Sequence, residues 1–220
     1  MEVLRRLGIK ATFFSESLIA LTRPELLREI ARAGHEVACH SYSHYPLTHM
    51  PVDKAREDVQ KAISTIEDAI GARPQGFRAP RFMINDTILA ILEEEGFLYD
   101  SSIIPSWRIG RYRHLRAPRR PFFPTHRREL VEIPVSVLNV LRLPLGLPWL
   151  NKISPGLFTA LLSTLRTSNP MVFYMHPHDL AGNGASNLTY FLSFLKRRKA
   201  SFMRTVDLAL RFKSSFKSSA

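Results

Sequence analysis

The sequence contains one cysteine, Cys39, so no internal disulfide can hold the fold and a packed core must do so. It has no run of about 20 apolar residues of the kind a membrane-spanning helix needs. The most apolar stretch, residues 133–150, is interrupted by Arg142 and by prolines at 134, 144 and 148, and is expected to be a buried loop or substrate wall. Met1 leads directly into Glu2-Val3-Leu4-Arg5-Arg6, without the apolar segment of a secretory leader. These features leave the compartment open, cytoplasmic or envelope-associated. Acid is scarce in the second half: residues 101–220 hold 4 Asp/Glu against 19 Lys/Arg, whereas residues 1–100 hold 15 against 12. The net charge of +12 therefore arises wholly from the second half, whose field favours anionic partners. Residues 108–128 contain eight arginines and no acid. They read as a solvated basic loop or as a contact for an anionic surface such as acidic glycan or lipid headgroups. No nucleic-acid recognition motif accompanies the charge, and specific nucleic-acid binding is not expected.

Hydrophobic residues make up 45% of the chain, enough for one globular domain, expected over residues 1–212 with a basic Ser/Lys tail over 213–220. Ala11-Thr12-Phe13-Phe14 reads as a buried strand, and residues 23–32 as a helix with Thr22 as N-cap and Pro24 in the first turn. A strand follows over His35–Cys39, then a polar aromatic loop. An amphipathic helix over Val52–Ile70 presents Ala55, Val59, Ala62, Ile63, Ile66 and Ile70 on one face and stops at Gly71. Further strands are expected at Gln75–Arg78, Phe97–Asp100, Leu130–Ile133, Met171–Met175 and around Phe202. Helices are expected over residues 85–95, 156–165 and 187–199, with fraying from about Lys213. Strands that alternate with helices indicate parallel β/α units.

The chemically distinctive residues fall just after strand ends, which form the active-site face of α/β barrels. His40-Ser41-Tyr42-Ser43-His44 places two imidazoles four residues apart, a spacing that can bring both to one ion. Taken alone it fits equally two loop histidines in ordinary hydrogen bonds. Arg78, stiffened by Pro80, suits a fixed guanidinium that orients a carboxylate, or a surface arginine in a turn. His176, held by Pro177 and followed by Asp179, suits a general acid or a histidine bonded to backbone. Cys39 is expected to be buried packing.

The order Ala11-Thr12-Phe13-Phe14, Gly34-His35-Glu36-Val37-Ala38-Cys39-His40-Ser41-Tyr42-Ser43-His44, Gly76-Phe77-Arg78-Ala79-Pro80, Tyr99-Asp100-Ser101-Ser102-Ile103 and His176-Pro177 resembles the polysaccharide deacetylases. This is the NodB-homology family, similar to carbohydrate esterase family 4, and the chain is nearest its peptidoglycan-deacetylase-like branch. The resemblance covers roughly residues 8–210. It implies a distorted (β/α) barrel with fewer than eight strands and the first strand missing from this chain. It implies a divalent metal, zinc by preference, held by His40 and His44. Arg78 would orient the catalytic carboxylate, His176 would protonate the leaving amine, and Asp100 would support that histidine. Pro80, Phe82 and Trp107 are the expected substrate contacts. Family members carry an upstream Thr-Phe-Asp-Asp segment that supplies the base and the third ligand, and no Asp-Asp pair occurs in residues 1–220. The expected activity is therefore metal-dependent deacetylation of N-acetylated glycans, impaired in this form. Two alternatives stay open: a non-catalytic carbohydrate-binding relative, and a hydrolase of another non-peptide C–N bond.

Overall fold

A computed structural model describes residues 1–107, 114–165 and 167–217. In chain order the elements are α1 (Glu2–Leu7), β1 (Thr12–Ser15), α2 (Ser17–Thr22), α3 (Pro24–Arg32), β2 (Glu36–Cys39), α4 (Val52–Ile70), β3 (Gly76–Phe77), α5 (Asp86–Glu94), β4 (Tyr99–Asp100) and β5 (Val131–Glu132). They continue with α6 (Leu147–Ile153), α7 (Pro155–Leu165), α8 (Gly184–Arg197) and α9 (Thr205–Lys217). Short 3₁₀ turns lie at Leu47–His49, Pro80–Phe82 and Pro177–Leu180. The chain divides into two compact units. A sheet unit comprises Lys10–Ile103, Pro121–Ile133 and Met203–Ala220, and a helical unit comprises Met1–Ile9, Ile104–Arg120 and Pro134–Phe202.

The sheet unit holds five parallel strands in the order β1-β2-β3-β4-β5. The expected alternation of parallel strands with helices is what forms. β2 is buried along its whole length, so it is apolar at nearly every position, as a strand covered on both faces must be. Cys39 lies in it fully buried, its thiol pushed up to about 12 by loss of solvent, an inert packing residue. α4 matches its expected span, and Ala55, Val59, Ala62, Ile63 and Ile66 are buried. At its last turn Ala69 is buried in place of Ile70, and Gly71 ends the helix in the left-handed region at φ 72.

The start of β2 is tied to α9 by side chains. Glu36 accepts from Thr12 Oγ1 (2.6 Å), Tyr99 OH (2.9 Å) and the backbone N–H of Val206 (3.0 Å), while Thr12 Oγ1 accepts from Thr205 N (2.8 Å). The first turn of α9 thus finds acceptors for its unpaired donors on two strands. α9 runs on to Lys217, which corrects the expectation of a frayed tail from Lys213. Phe212 and Phe216 hold it there by packing on Phe123, with centroids at 5.3 and 4.9 Å.

The helical unit is built on an apolar cluster of Leu138, Leu145, Leu147, Leu150, Phe158, Leu188 and Phe191, among others. Phe173 stacks on Phe191 at 4.5 Å. Two expected strands are absent here. Residues 171–175 make only an isolated bridge, Gly146 to Tyr174, because the facing segment carries Pro144 and Pro148, which lack the donors a ladder needs. The chain around Phe202 pairs with no strand, and the ring packs against the apolar cluster. Part of the stretch read as a loop is helical: α6 starts at Leu147, after Gly146 as N-cap, with Pro148 in its first turn, a position that needs no N–H. Thr22 closes α2 by donating to Leu18 O (2.6 Å), so Arg23 takes the N-cap place expected of it.

In the sheet unit, Gly76 faces the fully buried Tyr99 ring. A methyl group added there would stand 2.0 Å from Tyr99 Cζ. Gly76→Ala should lower stability by about 3 kcal/mol, measured by urea denaturation, because a ring bonded to Glu36 has nowhere to retreat.

Candidate active site

In the sheet unit, the residue after each strand extends the backbone ladder by one rung. His40 donates its N–H to Ser15 O (2.9 Å), Arg78 to Cys39 O (3.0 Å), Ser101 to Phe77 O (2.9 Å) and Ile133 to Asp100 O (2.8 Å). Side chains of the first three bond in the opposite direction. His40 Nδ1 lies 2.6 Å from Arg78 O, Arg78 Nε donates to Ser101 O (2.8 Å), and Ser101 Oγ donates to Ile133 O (2.8 Å). A carbonyl only accepts, so His40 Nδ1 carries the proton, which in the neutral ring leaves the lone pair on Nε2. That is the tautomer of a metal-ligating histidine held by a backbone carbonyl.

His40 opens the loop that returns to α4. Asp58 of α4 is buried and accepts from Tyr42 N (2.8 Å) and Ser43 N (3.0 Å), while Ser41 Oγ accepts from His44 N (3.0 Å). These bonds hold Ser41 at φ 66 and His44 at φ 55, left-handed conformations that cost about 1 kcal/mol or more each for non-glycine residues. The result sets the two rings side by side, with centroids 5.1 Å apart. Glu16, one residue past β1, has its Oε1 3.4 Å from His44 Nε2. The donor set, with one imidazole already fixed as a lone-pair donor, fits a divalent transition metal.

Arg78 is clamped as well as bonded. Its NH2 group donates to Ser101 Oγ (2.7 Å), and its guanidinium carbon stands 4.0 Å from the Phe14 centroid and 5.4 Å from that of Phe82. Pro80 and Phe82 are buried. Phe82 flanks Arg78. Arg81 and Phe82 both sit at positive φ, which brings the Phe82 ring inward.

Asp100 is fully buried and accepts from Ser102 N (3.2 Å) and Ser102 Oγ (2.6 Å). Its neighbour is Glu132 of β5, also fully buried, which accepts from Ile103 N (3.0 Å) through Oε1. Burial raises both carboxyls, Glu132 well above the ordinary range, where the negative charge of Asp100 raises it further. The pair is satisfied when Glu132 keeps its proton and donates to Asp100. Sequence reading passed over Glu132, since one acid in an apolar strand gives no sign of a buried partner.

The helical unit carries His176, Trp107 and their neighbours. His176 N–H donates to Asp179 Oδ2 (2.7 Å), and its Nδ1 lies 3.3 Å from the same oxygen. Within the unit that holds His176, the carboxylate beside its ring is that of Asp179. Trp107 is 60% exposed with its indole N–H donated to Leu141 O (2.6 Å), which leaves its ring face open to a ligand. Of the basic segment 108–128, residues 108–113 lie outside the described residues. Arg119 pairs with Asn139 Oδ1 (2.9 Å), and in the sheet unit Arg128 stands over Phe216 at 5.4 Å.

The family model for polysaccharide deacetylases matches residues 1–99, and that for a domain of unknown function, DUF3473, matches residues 101–213. Among curated proteins, the peptidoglycan deacetylase-like protein FGM2 of Gibberella zeae is 35% identical over 105 residues, 47% of this chain and 31% of its own length. The peptidoglycan deacetylase of Helicobacter pylori is 30% identical over 104 residues, 47% of this chain and 36% of its own. The chain thus spans about a third of the length of these relatives. A solved Mycobacterium smegmatis protein, described as a candidate polysaccharide deacetylase, superposes with a TM-score of 0.75 at 24% identity. That match covers 97% of this chain and 75% of the other, and it establishes the fold, a distorted barrel of the deacetylase type.

The carboxyl pair gives a pH signature. A carboxyl raised in the folded state contributes stability that is complete below its ordinary value and is lost as pH rises through the folded value. The melting temperature should fall over the pH interval that begins at the ordinary carboxyl value of about 4. Glu132→Gln, which donates to Asp100 without titrating, should fall less over that interval in the same thermal scans.

Proposed function

The chain belongs to the polysaccharide deacetylase family, and from that membership we propose that it serves the metal-dependent removal of acetyl groups from N-acetylated glycans. The observation that supports this reading most is the His40 tautomer, fixed by the Arg78 carbonyl at 2.6 Å. His40 and His44 would hold the ion, which when bound polarises an amide carbonyl and lowers the pKa of water. Zinc suits two imidazoles better than magnesium or calcium does.

The protein's own groups then divide the remaining work. Asp58 positions the histidine turn through two backbone N–H bonds and touches neither ring in that role. Arg78, fixed by Ser101 and by the Phe14 face, presents a permanent positive charge that orients a carboxylate. His176 donates the proton that the departing amine needs, and Asp179 Oδ2, 3.3 Å from its Nδ1, orients the ring. Trp107 offers an exposed ring for stacking on a sugar.

Acetate release from N-acetylglucosamine oligomers, assayed with added zinc, tests the reading. His176→Ala should lower the rate by about 10²–10⁴-fold while leaving bound metal at His40 and His44 unchanged. Asp58→Ala should weaken metal binding by about 10–100-fold, because the loop that converges the two rings loses its anchor. Oligomer binding without acetate release in that assay would make the chain a carbohydrate binder and overturn the hydrolytic reading.

A further inference from the structure

The turn that carries His176 has a second property. Among the described residues, His176, His178 and Asp179 form a group of metal-capable side chains whose ligand atoms all lie within 4.8 Å of one another. His176 Nδ1 stands 3.3 Å from Asp179 Oδ2, and His178 Nε2 stands 3.6 Å from Asp179 Oδ1. Both separations exceed the roughly 2.7–2.9 Å of a charge-assisted hydrogen bond. Ligands of a tetrahedral zinc ion, each bonded at about 2.0–2.1 Å, stand about 3.3–3.4 Å from one another. Each separation is thus close to that between two ligands of one ion, the first reaching Oδ2 and the second Oδ1 of the carboxylate.

The carboxylate is fixed independently of any ion. His176 N–H donates to Asp179 Oδ2 (2.7 Å), Asp179 N–H donates back to His176 O (3.0 Å), and Asn151 Nδ2 donates to Asp179 O (2.8 Å). Pro177 fixes φ at the first position of the turn. Gly184 lets the chain pass closely, since a Cβ there would stand 1.9 Å from Asp179 O. The two imidazoles are stacked nearly parallel, at 10° and 5.0 Å between centroids. Asp179 is 8% exposed in its side chain while His178 is 78% exposed. The site therefore has a buried, oriented anion at its base and an open side by which an ion and water can enter.

We propose that His176, His178 and Asp179 form a divalent transition-metal site within the helical unit. It takes one nitrogen from each imidazole and the Asp179 carboxylate, and leaves a position for water. Two imidazoles and one carboxylate select zinc, cobalt or nickel over magnesium and calcium. An ion held there withdraws Asp179 from His176. On the reading of His176 as proton donor, excess zinc then slows deacetylation, although binding itself does not depend on that reading.

The test is a zinc titration by calorimetry, paralleled by cobalt titration read from its visible absorption. It uses the chain carrying His40→Ala and His44→Ala, and the same chain with His178→Ala added. The double variant should bind one ion per chain, and His178→Ala should weaken that binding at least about tenfold. Should the double variant not fold, the unchanged chain compared with His178→Ala decides the matter, since one ion per chain should be lost. His178 is exposed, so its replacement leaves the fold intact. Absence of an ion in the folded double variant, or equal affinity with and without His178, overturns the proposal. Neither measurement needs catalytic activity, so a failed deacetylase reading and a failed metal site are distinguishable.

Discussion

The row of hydrogen bonds crossing the C-terminal ends of β2 to β5 is what the sheet unit rests on. β3, β4 and β5 are two residues long, so the strands alone supply few ladder bonds. The next residue in each case adds one backbone bond, and His40, Arg78 and Ser101 each add a side-chain bond to the neighbouring strand end as well. Each such bond contributes about 1 kcal/mol net, and each would leave a buried donor or acceptor exposed to a larger penalty if its partner were removed. His40, Arg78 and Ser101 are therefore structural and chemical at once. The bond that places Arg78 also completes β3 against β4, and the bond that selects the tautomer of His40 also completes β2 against β3.

That double use explains the ionisable groups buried beneath the row. Asp100 and Glu132 lie on adjacent strands just before it, in register with each other. Both side chains are fully buried, so they must satisfy one another and the nearby N–H groups of Ser102 and Ile103. At the other end of the strands Glu36 plays a comparable part toward α9, where burial also raises its carboxyl against the opposing effect of Thr12, Val206 and Tyr99. Both arrangements trade charge solvation for position. Buried polar groups of this kind hold a backbone in one arrangement more than they add stability.

The sequence made part of this legible. α4 shows a sustained 3.6-residue apolar repeat closed by Gly71, and its bounds could be read directly. The histidine turn, Arg78 and His176 were visible because each is a polar residue following an apolar run. Asp58 and Glu132 were not, since nothing in a linear pattern distinguishes an acid on a helix surface from one turned inward onto backbone N–H groups. Two-residue strands fall below the length at which a period of two can be detected, which is why the segment at Met171–Met175 looked as good as β4 or β5. Its failure to pair came from prolines some 25 positions away in the facing segment, a non-local cause. α9 was hidden for the converse reason: its Ser/Lys-rich end has weak helical signals, and it is held by Phe212 and Phe216 against Phe123.

The two histidine turns share a device and differ in what it leaves over. In each, an aspartate of low exposure accepts backbone N–H bonds from the turn and so fixes the direction of an imidazole. Asp58 uses both oxygens for Tyr42 and Ser43, so the carboxylate is consumed in holding the loop and the His40–His44 pair must find its third ligand elsewhere. Asp179 takes its one N–H bond, from His176, through Oδ2, and its Oδ1 lies toward the His178 ring. An anionic oxygen held rigidly beside two imidazoles has its ordering cost met before an ion arrives, which is the condition for tight coordination. By that criterion the His176 turn contains within four consecutive residues the carboxylate that the His40 turn spends on its own backbone.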